Sequence, residues 1–234
     1  MHWPVLLALL GGALMAGAQW LIFVYAPVEA TMGLTQKIFY AHLPQAWWAF
    51  VSFFVVFIAS LVVLRAQRQG FEARARLWDN LAAAACEIGV LTSGLSLVTG
   101  SIWARQSWGV WWTWDPRLTT ALVMWFVYAG YLVTRTLDLP PARRRTVCAV
   151  LGVLAFVDVP LVFLSARLWR SIHPAVFAAR GGGLDPAMRL TVIACLVCFG
   201  VLWAALLATR LRQRQLADRI GALSQRRLDA AQPL

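Results

Sequence analysis

The chain has 234 residues, of which 61% are hydrophobic and only 13% charged, with a formal net charge of +11. Six long apolar segments exclude a soluble domain and point to one integral membrane domain. The basic residues sit in the stretches between those segments, a pattern that belongs to membrane topology rather than to a nucleic-acid surface, so no nucleic-acid partner is expected.

Residues 5–26 carry no charge and are long enough for a first span. Gly12 with Ala16, and Ala13 with Gly17, give small-xxx-small spacing that lets another helix approach. Ala16-Gly17-Ala18 also resembles a signal-peptide cleavage site. Against cleavage, no Lys or Arg precedes Lys37, and the apolar run continues to Tyr25. Residues 28–41 read as an outside loop. Pro44 suits the first turn of a second span, 44–64, which puts His42 at the mouth of that helix. Arg65, Arg68, Arg74 and Arg76 mark an inside loop. A third span, 81–102, carries Glu87.

The tryptophan-rich segment 103–117 follows on the outside as a short amphipathic stretch. Asp115-Pro116 reads as an N-cap and first helical residue, opening a fourth span over 116–134. Arg135, Arg143, Arg144 and Arg145 mark a second inside loop. The fifth span, 146–165, carries Asp158 and Pro160 in its outer half. The loop 166–188 holds Arg167, Arg170, His173 and three consecutive glycines. A sixth span, 190–209, leads into a tail with six arginines, expected to continue as a helix along the anionic inner surface.

The inside segments hold 14 basic residues and the outside ones 7, which supports cytoplasmic termini. The expected organisation is therefore an all-α, six-helix membrane domain over 1–209 and a basic cytoplasmic tail over 210–234. All four cysteines fall inside spans, where a disulfide framework is not expected. Cys195-Leu-Val-Cys198 is followed by Phe199, so it is not a haem-attachment C-x-x-C-H and reads as two small residues on a buried helix face.

Three groups could carry chemistry. The first is aromatic: Trp103, Trp108, Trp111, Trp112 and Trp114 account for five of the thirteen tryptophans. An aromatic belt explains one or two per helix end, and five in one segment is denser than that. If the segment is helical in part, Trp108, Trp111 and Trp112 share a face and offer ring contact to a planar apolar ligand. The second is a pair of histidines, His42 and His173, in two different outside loops. Solvated loop residues are the plain reading; two on the aromatic side invite a metal-centred one, since imidazole is a common axial ligand of haem iron. Zinc fits less well, because no third His or outside Cys completes a site. The third is the outside arginines, Arg105, Arg117, Arg167 and Arg170, which could pair with carboxylates or with lipid headgroups. Asp115 caps a helix and could also orient Arg117 or a partner. Glu87 and Asp158 lie within spans, where a charge is costly and usually faces the bundle interior.

The stretch Trp108-Gly-Val-Trp-Trp-Thr-Trp-Asp-Pro-Arg-Leu-Thr119 resembles the WWD motif of the haem-handling proteins of cytochrome c assembly. Ile38-Phe-Tyr-Ala-His42-Leu-Pro, and the run from Asp158 to His173-Pro, resemble that family's two histidine-bearing segments. Six spans and this length are most similar to the haem exporter protein C (CcmC) type. The resemblance covers nearly the whole chain. It implies a transient haem b ligand at the outer face of the bacterial inner membrane. His42 and His173 would be the axial ligands, and Trp108, Trp111, Trp112 and Trp114 the platform. The partners it implies are a small single-span membrane protein, the ATPase and membrane subunits of an ABC-type complex, and a periplasmic, membrane-anchored haem chaperone. No G-x-x-x-x-G-K-[ST] occurs, so ATP hydrolysis would belong to a partner. The 175–188 stretch, with its three glycines, departs from the pattern next to His173.

Two other readings compete with haem handover. One is a synthetase that itself joins haem to C-x-x-C-H peptides, against which the chain's small size argues. The other is a transport subunit that moves haem or protons through Glu87 and Asp158.

Overall fold

A computed structural model of the chain describes residues 3–169, 171–173 and 184–231. Among the described residues, seven α-helices carry the fold: α1 Trp3–Trp20, α2 Phe39–Arg68, α3 Glu72–Trp108, α4 Pro116–Thr134, α5 Pro141–Ala155, α6 Asp158–Leu168 and α7 Pro186–Ala231. A wide π-helical turn, Leu21–Tyr25, extends α1, and a 3-10 turn, Leu34–Ile38, leads into α2. Six helical segments are long and apolar enough to cross a membrane, with α5 and the start of α6 forming one interrupted span.

The break within that fifth span, predicted as continuous, has a local cause. Pro160 has no N–H to donate to the carbonyl four residues back, so a helix cannot run through it without loss. The chain instead turns at Phe156 and Val157 and restarts at Asp158. Pro160 then falls in the first turn of α6, where no intrahelical partner was due.

The apolar side chains divide as lipid solvation requires. Leu6, Leu9, Phe23, Val24, Phe126 and Leu154 are exposed on the outer faces. Small and aromatic residues fill the interior, because helices in an apolar solvent gain from close approach rather than from hydrophobic burial. One cluster joins α2, α3, α4, α5 and α6 around Phe53, Cys86, Tyr128 and Cys148. Phe53 and Tyr128 stack at 3.7 Å between ring centroids. A Cβ on Gly89 of α3 would stand 2.6 Å from Phe53, so α2 and α3 pack at a separation only glycine permits there.

A second cluster seats α1 against α7, with Ala18, Ile22 and Ala26 meeting Val192, Cys195 and Cys198. All four cysteines are buried free thiols, as a packing role requires. The close approach of α1 uses Gly11, whose added Cβ would lie 3.4 Å from Leu202. The expected pairs do not make it: Gly12 and Gly17 face open space. Spacing identifies a small-residue stripe, but the rotation of the helix decides which stripe is used.

Far from the tryptophans, polar groups satisfy one another. Arg135 forms a two-pronged pair with Asp79 at 2.9 and 2.8 Å. Arg145 pairs with Glu72, and Asn80 donates to Asp218 at 2.7 Å. Glu87 pairs with both Arg210 and Arg214 of α7. Twenty-one residues of α3 separate Glu87 from Trp108, about 30 Å at 1.5 Å per residue. The helix α7 runs unbroken through residue 209, so residues 210–231 continue the sixth span as a helix.

Candidate functional site

The WWD segment is not an amphipathic helix of its own. Trp103 and Trp108 are the last turns of α3, which continues past the expected end of the third span at residue 102. Gly109 then adopts φ +76°, the left-handed conformation that ends a helix. The Arg105 guanidinium hydrogen-bonds the Gly109 carbonyl and so closes the same helix end. Residues 110–115 are non-helical. The shared helical face expected for Trp108, Trp111 and Trp112 is therefore absent, because Gly109 ends the helical period between the first and second of them.

What forms instead is a strap. Ser101 of α3 donates to the Trp111 carbonyl at 2.7 Å and folds the strap back over the helix it has just left. Trp111 and Trp114 are 59% and 77% exposed, so their faces remain open. Trp103 and Trp108 meet edge to face at 5.2 Å, as do Trp112 and Trp114 at 6.2 Å. The rings therefore form steps rather than one flat shelf. Within and just after the strap, the Trp112 indole N–H and the Thr113 and Thr119 hydroxyls are buried with no hydrogen-bond partner among the described residues.

His42 departs furthest from its expected setting. It is not in a loop: α2 begins at Phe39, five residues before the predicted start, and His42 lies in its first turns. The 3-10 turn feeds directly into the helix, and Tyr40 is fully buried against α1 and α7, which anchors this extra turn. Pro44 is consequently inside the helix rather than at its start. The imidazole turns towards α3, where Nδ1 lies 3.1 Å from the Thr99 hydroxyl and 3.4 Å from that of Ser96.

His173 is on the loop after α6 and is half-buried. Asp115 holds that loop. One carboxylate oxygen caps α4 by accepting from the Arg117 backbone N–H at 2.9 Å and also accepts from the Ser171 hydroxyl at 3.0 Å. The other accepts from the Ile172 N–H at 2.9 Å. Asp115 is buried and is both the expected N-cap and the tether of the second histidine. The sequence carries no signal for the second role, because 56 residues separate Asp115 from Ser171.

Arg117 touches the second histidine directly. Its guanidinium donates to His173 Nδ1 at 3.5 Å. The two imidazoles, 131 residues apart in the chain, are thus tied to the two ends of one strap: His42 rests on α3 beside the Ser101 that holds Trp111, and His173 on the loop that Asp115 and Arg117 hold. Among the other expected site residues, Arg167 lies in α6, though its side chain lies outside the described residues, as does Arg170 altogether. Sequence reasoning missed Ser96, Thr99 and Gly100, which the hydroxyl-rich face of α3 could have suggested.

Comparison with known proteins gives one consistent result. The family model "CcmC: Heme exporter protein C" matches residues 1–226. The chain is similar to the heme exporter protein C of Bradyrhizobium diazoefficiens, at 32% identity over 85% of this chain and 73% of that protein. It is also similar to that of Rhodobacter capsulatus, at 31% over 91% and 86%, and to that of Escherichia coli K12, at 30% over 81% and 74%.

Proposed function

The chain belongs to the heme exporter protein C family, and we propose that it binds haem b as cargo at the outer membrane face during cytochrome c maturation. His42 and His173 are the axial ligands. The strap tryptophans Trp108, Trp111, Trp112 and Trp114 contact the ring, and Arg105, Arg117, Arg167 and Arg170 meet the propionates. Both termini are cytoplasmic and the strap is periplasmic. Cargo passes to a periplasmic, membrane-anchored chaperone. The chain works within an ABC-type complex whose partner subunits hydrolyse ATP, together with a small single-span protein.

The observation that carries this reading is that the tryptophan strap is tied to both histidine settings: Ser101, next to the Gly100 on which His42 rests, holds Trp111, while Asp115 and Arg117 at the strap's other end hold the His173 loop. A bis-imidazole iron site needs two rings from opposite sides of one plane, with cationic groups near its carboxylate edge. The buried donors on Trp112, Thr113 and Thr119 fit as well. A buried N–H or O–H without an acceptor is costly, and a ligand bearing carboxylates supplies acceptors. The exposed Trp111 and Trp114 faces offer stacking area that binding would cover.

The role of each residue follows from its bonding. His42 offers a ring already held against α3. Asp115 fixes Ser171 and Ile172 and so sets where His173 stands. Arg117 must release His173 Nδ1 or retain it as the second ring turns towards cargo, which couples propionate contact to the state of that histidine. Handover needs only ligation and release, which these residues can supply.

The test is purification of the full chain after haem-replete expression. A haem absorption band is expected, diminished in His42→Ala and in His173→Ala. Protein that takes up no haem, or whose band is untouched by both substitutions, contradicts the reading.

A further inference from the structure

We propose that Thr99 and Gly100 of α3 are positioning residues that hold His42 as the Nδ1–H tautomer, with Nε2 as its metal-ligating nitrogen. The inference rests on the haem reading for its purpose but not for its measurement.

The hydroxyl of Thr99 has one proton and several acceptors. The Leu95 carbonyl is nearest, at 2.9 Å, with the Ser96 carbonyl at 3.2 Å and Gln45 Oε1 at 3.3 Å. A threonine in a helix gives its proton to the carbonyl one turn back, because that carbonyl lies within reach and the geometry is fixed by the helix. With its proton so engaged, the Thr99 oxygen can only accept. His42 Nδ1, 3.1 Å away, is then placed to donate to it, and this contact is preferred to acceptance from the Ser96 hydroxyl, which stands farther off at 3.4 Å, beyond ordinary hydroxyl hydrogen-bond length. A neutral imidazole that carries its proton on Nδ1 has its lone pair on Nε2. The contacts of the His42 ring with the Thr99 and Ser96 hydroxyls both run through Nδ1, which leaves Nε2 on the side of the ring away from them. Metal-bound histidines commonly donate their second N–H to an outer-shell oxygen, which fixes both tautomer and ring orientation.

Gly100 sets the position of the ring. A Cβ there would stand 2.9 Å from His42 Cε1 and 3.4 Å from Nδ1, so the imidazole lies directly on the α3 backbone. Any side chain at residue 100 pushes the ring off this surface. The next residue, Ser101, is the one that anchors the strap through the Trp111 carbonyl. Three α3 positions, 99, 100 and 101, therefore register the first histidine and the aromatic strap on one rigid helix.

The measurement is nitrogen NMR of the haem-free full chain, labelled at histidine and reconstituted in lipid nanodiscs, with the His42 signal assigned by loss in His42→Ala. Wild-type protein is expected to show a protonated Nδ1 and an unprotonated Nε2 at His42. Thr99→Val should mix the tautomers, and Thr99→Ser should restore the wild-type pattern. Haem titration should then show Thr99→Val and Gly100→Ala weakened about 10–100-fold, the range for losing an outer-shell partner of a metal ligand, with Thr99→Ser near wild type. An Nε2–H signal at His42 in wild type, or a Thr99→Val spectrum unchanged from wild type, overturns the assignment. Absence of haem binding in wild type defeats the haem reading instead and leaves the tautomer result standing.

Discussion

His42 and His173 stand at the same end of the bundle but are held in different ways. His42 belongs to a helix, and its ring rests on a second helix through two hydroxyls and a glycine. His173 belongs to a loop, and it is held through neighbours: Asp115 grips the two residues before it, and Arg117 touches the ring itself. If the two histidines ligate haem as proposed, the one on packed helices is set before cargo arrives, whereas the one on a tethered loop can move away again. On the proposed handover, which asks for both binding and release, one fixed and one adjustable ligand is a workable division.

That contrast can be broken by experiment. The largest effect is expected for His42→Ala, a loss of haem affinity above the roughly 100-fold upper range of outer-shell losses, read by haem titration of the purified chain. His173→Ala should cost less, about 10-fold, because the fixed ligand and the aromatic strap remain; the outer-shell range is the yardstick. If His173→Ala proves the more damaging, the assignment of fixed and adjustable ligands is reversed.

Asp115→Ala comes next. Loss of the cap should lower stability by about 1 kcal/mol in thermal unfolding, and release of Ser171 and Ile172 should weaken haem retention several-fold, roughly the lower end of outer-shell effects. Asp115→Asn should recover the cap more fully than it recovers haem, because the amide cannot serve both oxygens' donors as acceptor. Equal recovery of both would make Asp115 a cap and nothing more.

The smallest effect on haem is expected for Glu87→Gln. Its carboxylate is engaged by Arg210 and Arg214, at a point on α3 about 30 Å from the tryptophans. Haem affinity should stay within about twofold of wild type, as for sites that share no partner. Loss of haem delivery in cells with binding intact would instead favour the transport reading. Asp158 is the better residue for that reading, since one of its buried carboxyl oxygens has no partner among the described residues.

Much of the molecule was legible in the sequence. Length and hydropathy gave six spans, because a bilayer core of about 30 Å demands about 20 apolar residues per helix whatever their neighbours. Asp115-Pro116 announced the start of α4, since capping chemistry is local. Trp108 to Thr119 and the two histidine segments carried the family. Span ends were legible only in part, because packing rather than composition extends α2 back to Phe39 and α3 on to Trp108.

Contacts between distant residues needed the fold. Nothing in a one-dimensional string states that Asp115 reaches Ser171, that Thr99 meets His42, or that Gly11 rather than Gly12 meets Leu202. The string specifies periods, caps and breaks, which depend on interactions within a few residues. Helix rotation and the pairing of side chains from separate helices depend on how all the helices fit together at once, and only the tertiary structure settles them.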